Sequence, residues 1–231
     1  MSRPWERERH IAEAAVHLAA KLTKRVLSAV TQVSKQDASP VTVADFAAQA
    51  LITSVLRAAF PHDGAFVGEE DAEVLRRDTG LRERVYELFA AAQADEGGEG
   101  AQRQGASSVE EMLDLIDLGG RGTGGSRGRF WVMDPVDGTA AFLRGEQYAV
   151  SLALVEDGRE VVGVVAYPNL KLDDAGRIRE SSVDARGLGI MLSATKGQGA
   201  SIISLPSPSS PLVPRPLAQL DAPARLADAH I

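Results

Sequence analysis

Arg129-Phe130-Trp131-Val132-Met133-Asp134-Pro135-Val136-Asp137-Gly138-Thr139 is the stretch on which the fold turns. Its first half is a compact apolar run with aromatic content, which reads as a buried strand. Its second half ends that strand, because Pro135 offers no backbone donor to a continuing central ladder. With Pro135 fixing the turn, Asp134 and Asp137 can both point into one pocket, and the Val136 carbonyl between them is freed from sheet pairing. Two carboxylates and a carbonyl suit magnesium, which takes oxygen ligands, waters and substrate phosphate oxygens. The same residues also make a plain turn, and taken alone they favour that reading.

A second acidic strand end lies upstream. Ala65-Phe66-Val67-Gly68 reads as a short strand delivering Glu69, Glu70 and Asp71. By itself this is a solvated acidic patch, or favourable charge at a helix start. Asp45 taken singly is a helix cap, and Thr139 an N-cap hydroxyl. What lifts all of them is their combination and order.

Further outward, Ile11, Ala14, Ala15, Leu18, Ala19, Leu22 and Val26 recur at helical spacing, predicting an amphipathic helix from Glu6 to about Thr31. Ser39-Pro40-Val41-Thr42 breaks it, and a second helix is expected from Val43 to about Ala59, opened by a Thr42-x-x-Asp45 capping box. Residues 72–92 read as one more helix and 108–118 as another. Glycine clusters at about 95–107 and 119–128 read as flexible surface loops. A short helix is expected near Ala140 to Arg144. Tyr148 to Val155 and Glu160 to Tyr167 flank Asp157-Gly158, a hairpin signal, and Gly189 to Thr195 makes a last strand. Six of the 11 prolines fall among residues 201–231, so that stretch reads as a Pro/Ser-rich disordered tail after a domain spanning 1–200.

Composition narrows the functions. With 231 residues, 44% hydrophobic, 25% charged and a formal net charge of −7, the chain can bury a sizeable core and carries no basic stripe. Nucleic-acid polymers and anionic membranes are therefore excluded as expected partners, while a small phosphorylated substrate can still be held through metal ions. With no cysteine, there is neither a disulfide framework nor a thiolate metal site. No window approaches a membrane span, and Glu6 and Glu8 fit no targeting segment, so the expected address is cytoplasmic.

Ser39-Pro40-Val41-Thr42 through Asp45-Phe46-Ala47-Ala48-Gln49, then Val67-Gly68-Glu69-Glu70, then Gly128-Arg129-Phe130-Trp131 into Asp134-Pro135-Val136-Asp137-Gly138-Thr139 resembles the lithium-sensitive phosphatase superfamily that includes inositol monophosphatases. The continuation Phe142-Leu143-Arg144-Gly145-Glu146-Gln147-Tyr148-Ala149-Val150-Ser151-Leu152-Ala153 resembles its 3'(2'),5'-bisphosphate nucleotidase branch. The resemblance implies a layered α/β (α+β) fold of the sugar-phosphatase kind, with helices packed on a mostly antiparallel sheet. It implies a phosphatase acting on adenosine 3',5'-bisphosphate, with 3'-phosphoadenylyl sulfate as a second candidate, that requires Mg2+ and is inhibited by lithium. Carried over by motif, Glu69, Asp134 and the Val136 carbonyl would hold one Mg2+, and Asp134 and Asp137 a second. Asp45 and Thr139 would orient and deprotonate the attacking water, and the N–H groups of Gly138 and Thr139 would bind a phosphate oxygen.

The resemblance also implies a third metal carboxylate well downstream, in a Trp-Asp-x-Ala segment, with adenosine-gripping residues before it. The tryptophans here are Trp5 and Trp131, and the nearest echo, Asp221-Ala222-Pro223-Ala224, lies in the proline-rich tail. The expectation is a fold whose C-terminal part is missing, with self-association or a partner covering the uncovered half. Two alternatives follow: a catalytically impaired remnant acting as a binding or interaction module, and an inositol-phosphate phosphatase.

Overall fold

The computed structural model of the chain describes residues 3–30, 40–63, 65–94, 108–171, 183–185, 187–205 and 213–218. The first glycine cluster and Asp221 lie outside them.

Helix α1 (Glu6–Val30) follows the expected periodicity and buries Ala12, Ala15, Val16, Ala19 and Leu22. Helix α2 (Pro40–Ala59) starts earlier than expected, with Pro40 in its first turn, where a missing N–H costs nothing. Thr42 therefore sits inside the helix and is not its cap. From Ala44 to Leu56, α2 is buried almost all round, which its alanines allow by letting neighbours approach closely. It packs on α1, on three later helices and on the sheet.

The expected helix over 72–92 is instead two, α3 (Glu73–Arg77) and α4 (Thr79–Ala94). Asp78 breaks it: its backbone is extended, and its Oδ1 accepts the Leu81 N–H at 2.9 Å, capping the second piece. Helix α5 (Val109–Gly120) opens on Ser108, whose side chain accepts the Glu111 N–H at 3.2 Å. The second glycine cluster is a helix end followed by a mostly exposed loop over 121–128. Gly119 and Gly120 belong to α5, and Gly122 lies against the Phe66 carbonyl so closely that a Cβ there would stand 1.5 Å from its oxygen. These glycines serve close backbone approach.

Strands β1 (Phe66–Val67), β2 (Arg129–Asp137), β3 (Ala149–Glu156), β4 (Arg159–Tyr167), β5 (Ile190–Thr195), β6 (Gly199–Ser204) and β7 (Pro214–Pro216) form one seven-stranded sheet in chain order. β1 and β2 are parallel, and every later pairing is antiparallel. This is the layered α/β arrangement expected. The β3–β4 turn is the Asp157-Gly158 hairpin, both residues at positive φ (49° and 71°). The core packs the buried sheet face, with Trp131, Met133, Val150, Leu152, Leu154 and Val164, against α1 and α2. Arg129 ties the β2 start to Asp63, Glu8 and Glu156, at 2.9, 3.2 and 2.9 Å.

Two expectations are corrected. Residues 199–204 and 214–216 are strands, so disorder does not begin at 201; β7 tolerates Pro214 and Pro216 because it is an edge strand. Nor does β2 stop at Pro135, since pairing with β3 resumes at Asp137 opposite Ala149. Asp134 faces Ser151, so Pro135 and Val136 together oppose Val150 in a bulge. On its other side β2 has already lost β1, whose pairing ends at Val132, leaving room for a residue without an N–H. Among the described residues, no helix is long and apolar enough to cross a membrane.

Candidate active site

The bulge shapes the acidic end of β2. Asp134 Oδ1 accepts the Val136 N–H at 3.2 Å, which folds the chain back over its own carboxylate. Val136 has no register partner in β3, and its carbonyl accepts the Thr139 hydroxyl at 3.4 Å. Gly138, at φ 91°, turns the chain into helix α6 (Thr139–Leu143), as only glycine does without strain. Asp137, Gly138 and Thr139 are exposed, whereas the Val136 side chain is buried. Ser151 on β3 donates to the Asp134 carbonyl at 3.5 Å.

The parallel β1 ends beside β2 and delivers Glu69 and Glu70 to the same edge of the sheet. Asp45 reaches it from the buried face of α2 and is only 7% exposed. Burial is the largest influence on its carboxyl, and the charges of Glu70, Glu69 and Asp134 add to it, pushing its pKa up to about 8. Asp134 is raised by burial and then by Glu69 and Asp137, against a lowering from the Val136 N–H. Glu70 is raised by burial, Glu69 and Asp71. Asp45, Glu69, Asp134 and Asp137 thus share one electrostatic neighbourhood, which Glu70 joins although the sequence reading gave it no role.

Among the described residues, no group of three or more His, Cys, Asp or Glu side chains is gathered tightly enough to cage an ion as it stands. The donor set nevertheless fits a hard divalent cation: oxygen donors only, with carboxylates whose mutual repulsion a positive charge relieves. Thr139 is placed at the Val136 carbonyl, and its hydroxyl reaches that oxygen, not Asp45.

The raised Asp45 carboxyl carries a stability consequence. Its folded-state pKa lies above the unfolded carboxylate value, so the folded chain holds a proton that the unfolded chain releases. Stability contributed by that proton is present below about pH 4 and is lost as pH rises towards about 8. In metal-free buffer Asp45→Asn is expected to be more stable than wild type by several kcal/mol at pH 8. The gap should close towards pH 4, as thermal unfolding at the two pH values would show.

Gln49 and Asp117 are structural partners of this site that sequence reasoning passed over. Gln49 stands one helical turn after Asp45, a spacing that puts both on one face of α2. Asp117 accepts the Ala72 N–H at 2.9 Å and pairs with Arg76 at 2.7 Å, fixing the chain just beyond Asp71.

A model of the inositol monophosphatase family matches residues 7–220. The 3'(2'),5'-bisphosphate nucleotidase of Emericella nidulans is 47% identical over 204 residues, covering 85% of this chain and 57% of that protein. That of Schizosaccharomyces pombe is 41% identical over 210 residues, covering 87% and 56%. The chain therefore spans a little over half the length of these relatives. CysQ from Bacteroides thetaiotaomicron, described as a bacterial member of the inositol monophosphatase family, superposes with a TM-score of 0.51 at 18% identity. That match covers 95% of this chain and 60% of CysQ, and it bears on fold alone.

Proposed function

The chain belongs to the inositol monophosphatase family, and from that membership we propose that it removes the 3'-phosphate of adenosine 3',5'-bisphosphate, with 3'-phosphoadenylyl sulfate as a second substrate. The observation that carries the chemistry is the set of mutually repelling carboxylates, Asp45, Glu69, Asp134 and Asp137, at one edge of the sheet around the β2 bulge. The choice of substrate is supported by the relatives, which are named 3'(2'),5'-bisphosphate nucleotidases.

In this reading Glu69, Asp134 and the Val136 carbonyl would hold one Mg2+, and Asp134 and Asp137 would hold a second. Magnesium bound there supplies Lewis-acid activation of water and charge neutralisation for the transferring phosphoryl group. Asp45 takes the proton of the attacking water. Its place on α2, buried beside Glu69 and Asp134, supports it in that role. Thr139, beside the Val136 carbonyl, aligns that water with Asp45, and the N–H groups of Gly138 and Thr139 bind a phosphate oxygen.

Phosphate release by the purified chain from adenosine 3',5'-bisphosphate and from inositol 1-phosphate, with and without Mg2+, tests this. The expected result is Mg2+-dependent release, at least about 10-fold faster from the bisphosphate. Faster release from the inositol phosphate would transfer the assignment to that substrate. A folded sample releasing nothing from either would contradict the proposal.

A further inference from the structure

Gln49 is fully buried, yet every polar atom of its side chain is used. Its Oε1 accepts the Glu70 N–H at 3.0 Å, and its Nε2 donates back to the Glu70 carbonyl at 2.5 Å. The amide thus grips both backbone groups of one residue, as a neighbouring strand would. Nε2 also donates to the Ile116 carbonyl at 2.9 Å, joining α5 to the same clasp. Glycines make room for it: a Cβ on Gly68 would stand 2.5 Å from Gln49 Oε1, and one on Gly119 2.9 Å from Nε2. The Gly68 N–H in turn bonds the Gly119 carbonyl at 3.1 Å.

The acidic segment that follows β1 has only two residues of strand to hold it. Its path past Val67 is set by this clasp on one side and by Asp117 on Ala72 on the other. We propose that Gln49 is a positioning residue for the metal centre, locking the Glu69-Glu70 backbone to α2 so that the Glu69 carboxylate stands at a fixed offset from Asp45 and Asp134. This inference rests on the metal-site reading given above. Gln49 touches neither substrate nor metal; it acts through the peptide unit of Glu70. Partners that orient ligands in this way cost about 10–100-fold in metal affinity when removed.

The test is Mn2+ binding to the full 231-residue chain, followed by electron paramagnetic resonance. Wild type is compared with Gln49→Met, which keeps volume and loses the amide, and with Gly119→Ala, which keeps the amide but pushes it from its seat. Thr53→Val, a fully buried change one turn further along α2, controls for loss of packing. The expected result is Mn2+ affinity at least about 10-fold weaker in Gln49→Met and several-fold weaker in Gly119→Ala, with Thr53→Val within about two-fold of wild type. Should Gln49→Met fail to fold, Gly119→Ala alone decides the matter. Wild-type Mn2+ affinity in whichever of the two folds, together with loss of binding in Asp134→Asn, would overturn this inference and leave the metal site standing. Absence of Mn2+ binding in wild type would overturn both.

Discussion

Asp134→Asn is expected to lower Mg2+-dependent phosphate release by about 10³-fold, because the change removes the carboxylate proposed to serve both metal positions and would leave the transferring phosphoryl charge unopposed. Misfolding can be told apart from this. In the metal-free chain the Asp134 carboxyl is held above the usual range by burial, then by Glu69 and Asp137. Neutralising it removes repulsion, so the variant should unfold at the same temperature as wild type or higher in metal-free buffer. Added Mg2+ should then raise the unfolding temperature of wild type, through preferential binding to the folded state, and leave the variant where it was. A variant that is less stable without metal and equally stabilised by Mg2+ would mean that Asp134 is a structural turn residue.

The largest stability effect should come from Gly122→Ala. A Cβ there would lie 1.5 Å from the Phe66 oxygen, 2.7 Å from its carbonyl carbon and 3.1 Å from the Leu118 oxygen. All three are backbone atoms, so no rotamer change relieves the contact, and β1 has to move away from α5. A cost of at least about 3 kcal/mol is expected, which in a chain of this size lowers the unfolding temperature by roughly 10 °C. Gly125→Ala is the control, since its nearest neighbour would be the Arg127 oxygen at an ordinary 3.8 Å. Because β1 leads into Glu69, its displacement should also weaken the proposed Mg2+ binding. An unfolding temperature equal to that of Gly125→Ala would show that the β1–α5 seam is slack.

Where local chemistry decides local structure, the sequence was legible. Asp157-Gly158 demands two positive φ angles and forms the hairpin it announces. The helix expected over 108–118 is α5, and the two runs flanking that turn pair as β3 and β4. The β2 carboxylates and the acidic end of β1 were also readable, because their spacing and order are specific. What escaped depends on a local competition at Asp78 and, elsewhere, on contacts between distant segments. The split at Asp78 follows from a side chain competing for a backbone donor three residues on, against an otherwise helical apolar pattern. The bulge at Pro135 requires knowing that β1 stops pairing with β2 at Val132. β6 and β7 lie in or beside a proline-rich stretch whose composition argued for disorder, and only their place at the sheet edge makes those prolines acceptable. Gln49 had one available signal, its spacing of four from Asp45, which gives no hint that its amide grips a strand end twenty-one residues away.

The proposed chemistry requires the acidic edge of β1 and β2 to be a divalent cation site. Crystals of the chain grown with Mn2+, and an anomalous difference map at the manganese edge, address this most directly. A peak within coordination distance of Glu69, Asp134 and the Val136 carbonyl is the predicted result. A map with manganese only on other carboxylates, or with none in well-ordered crystals, would contradict it.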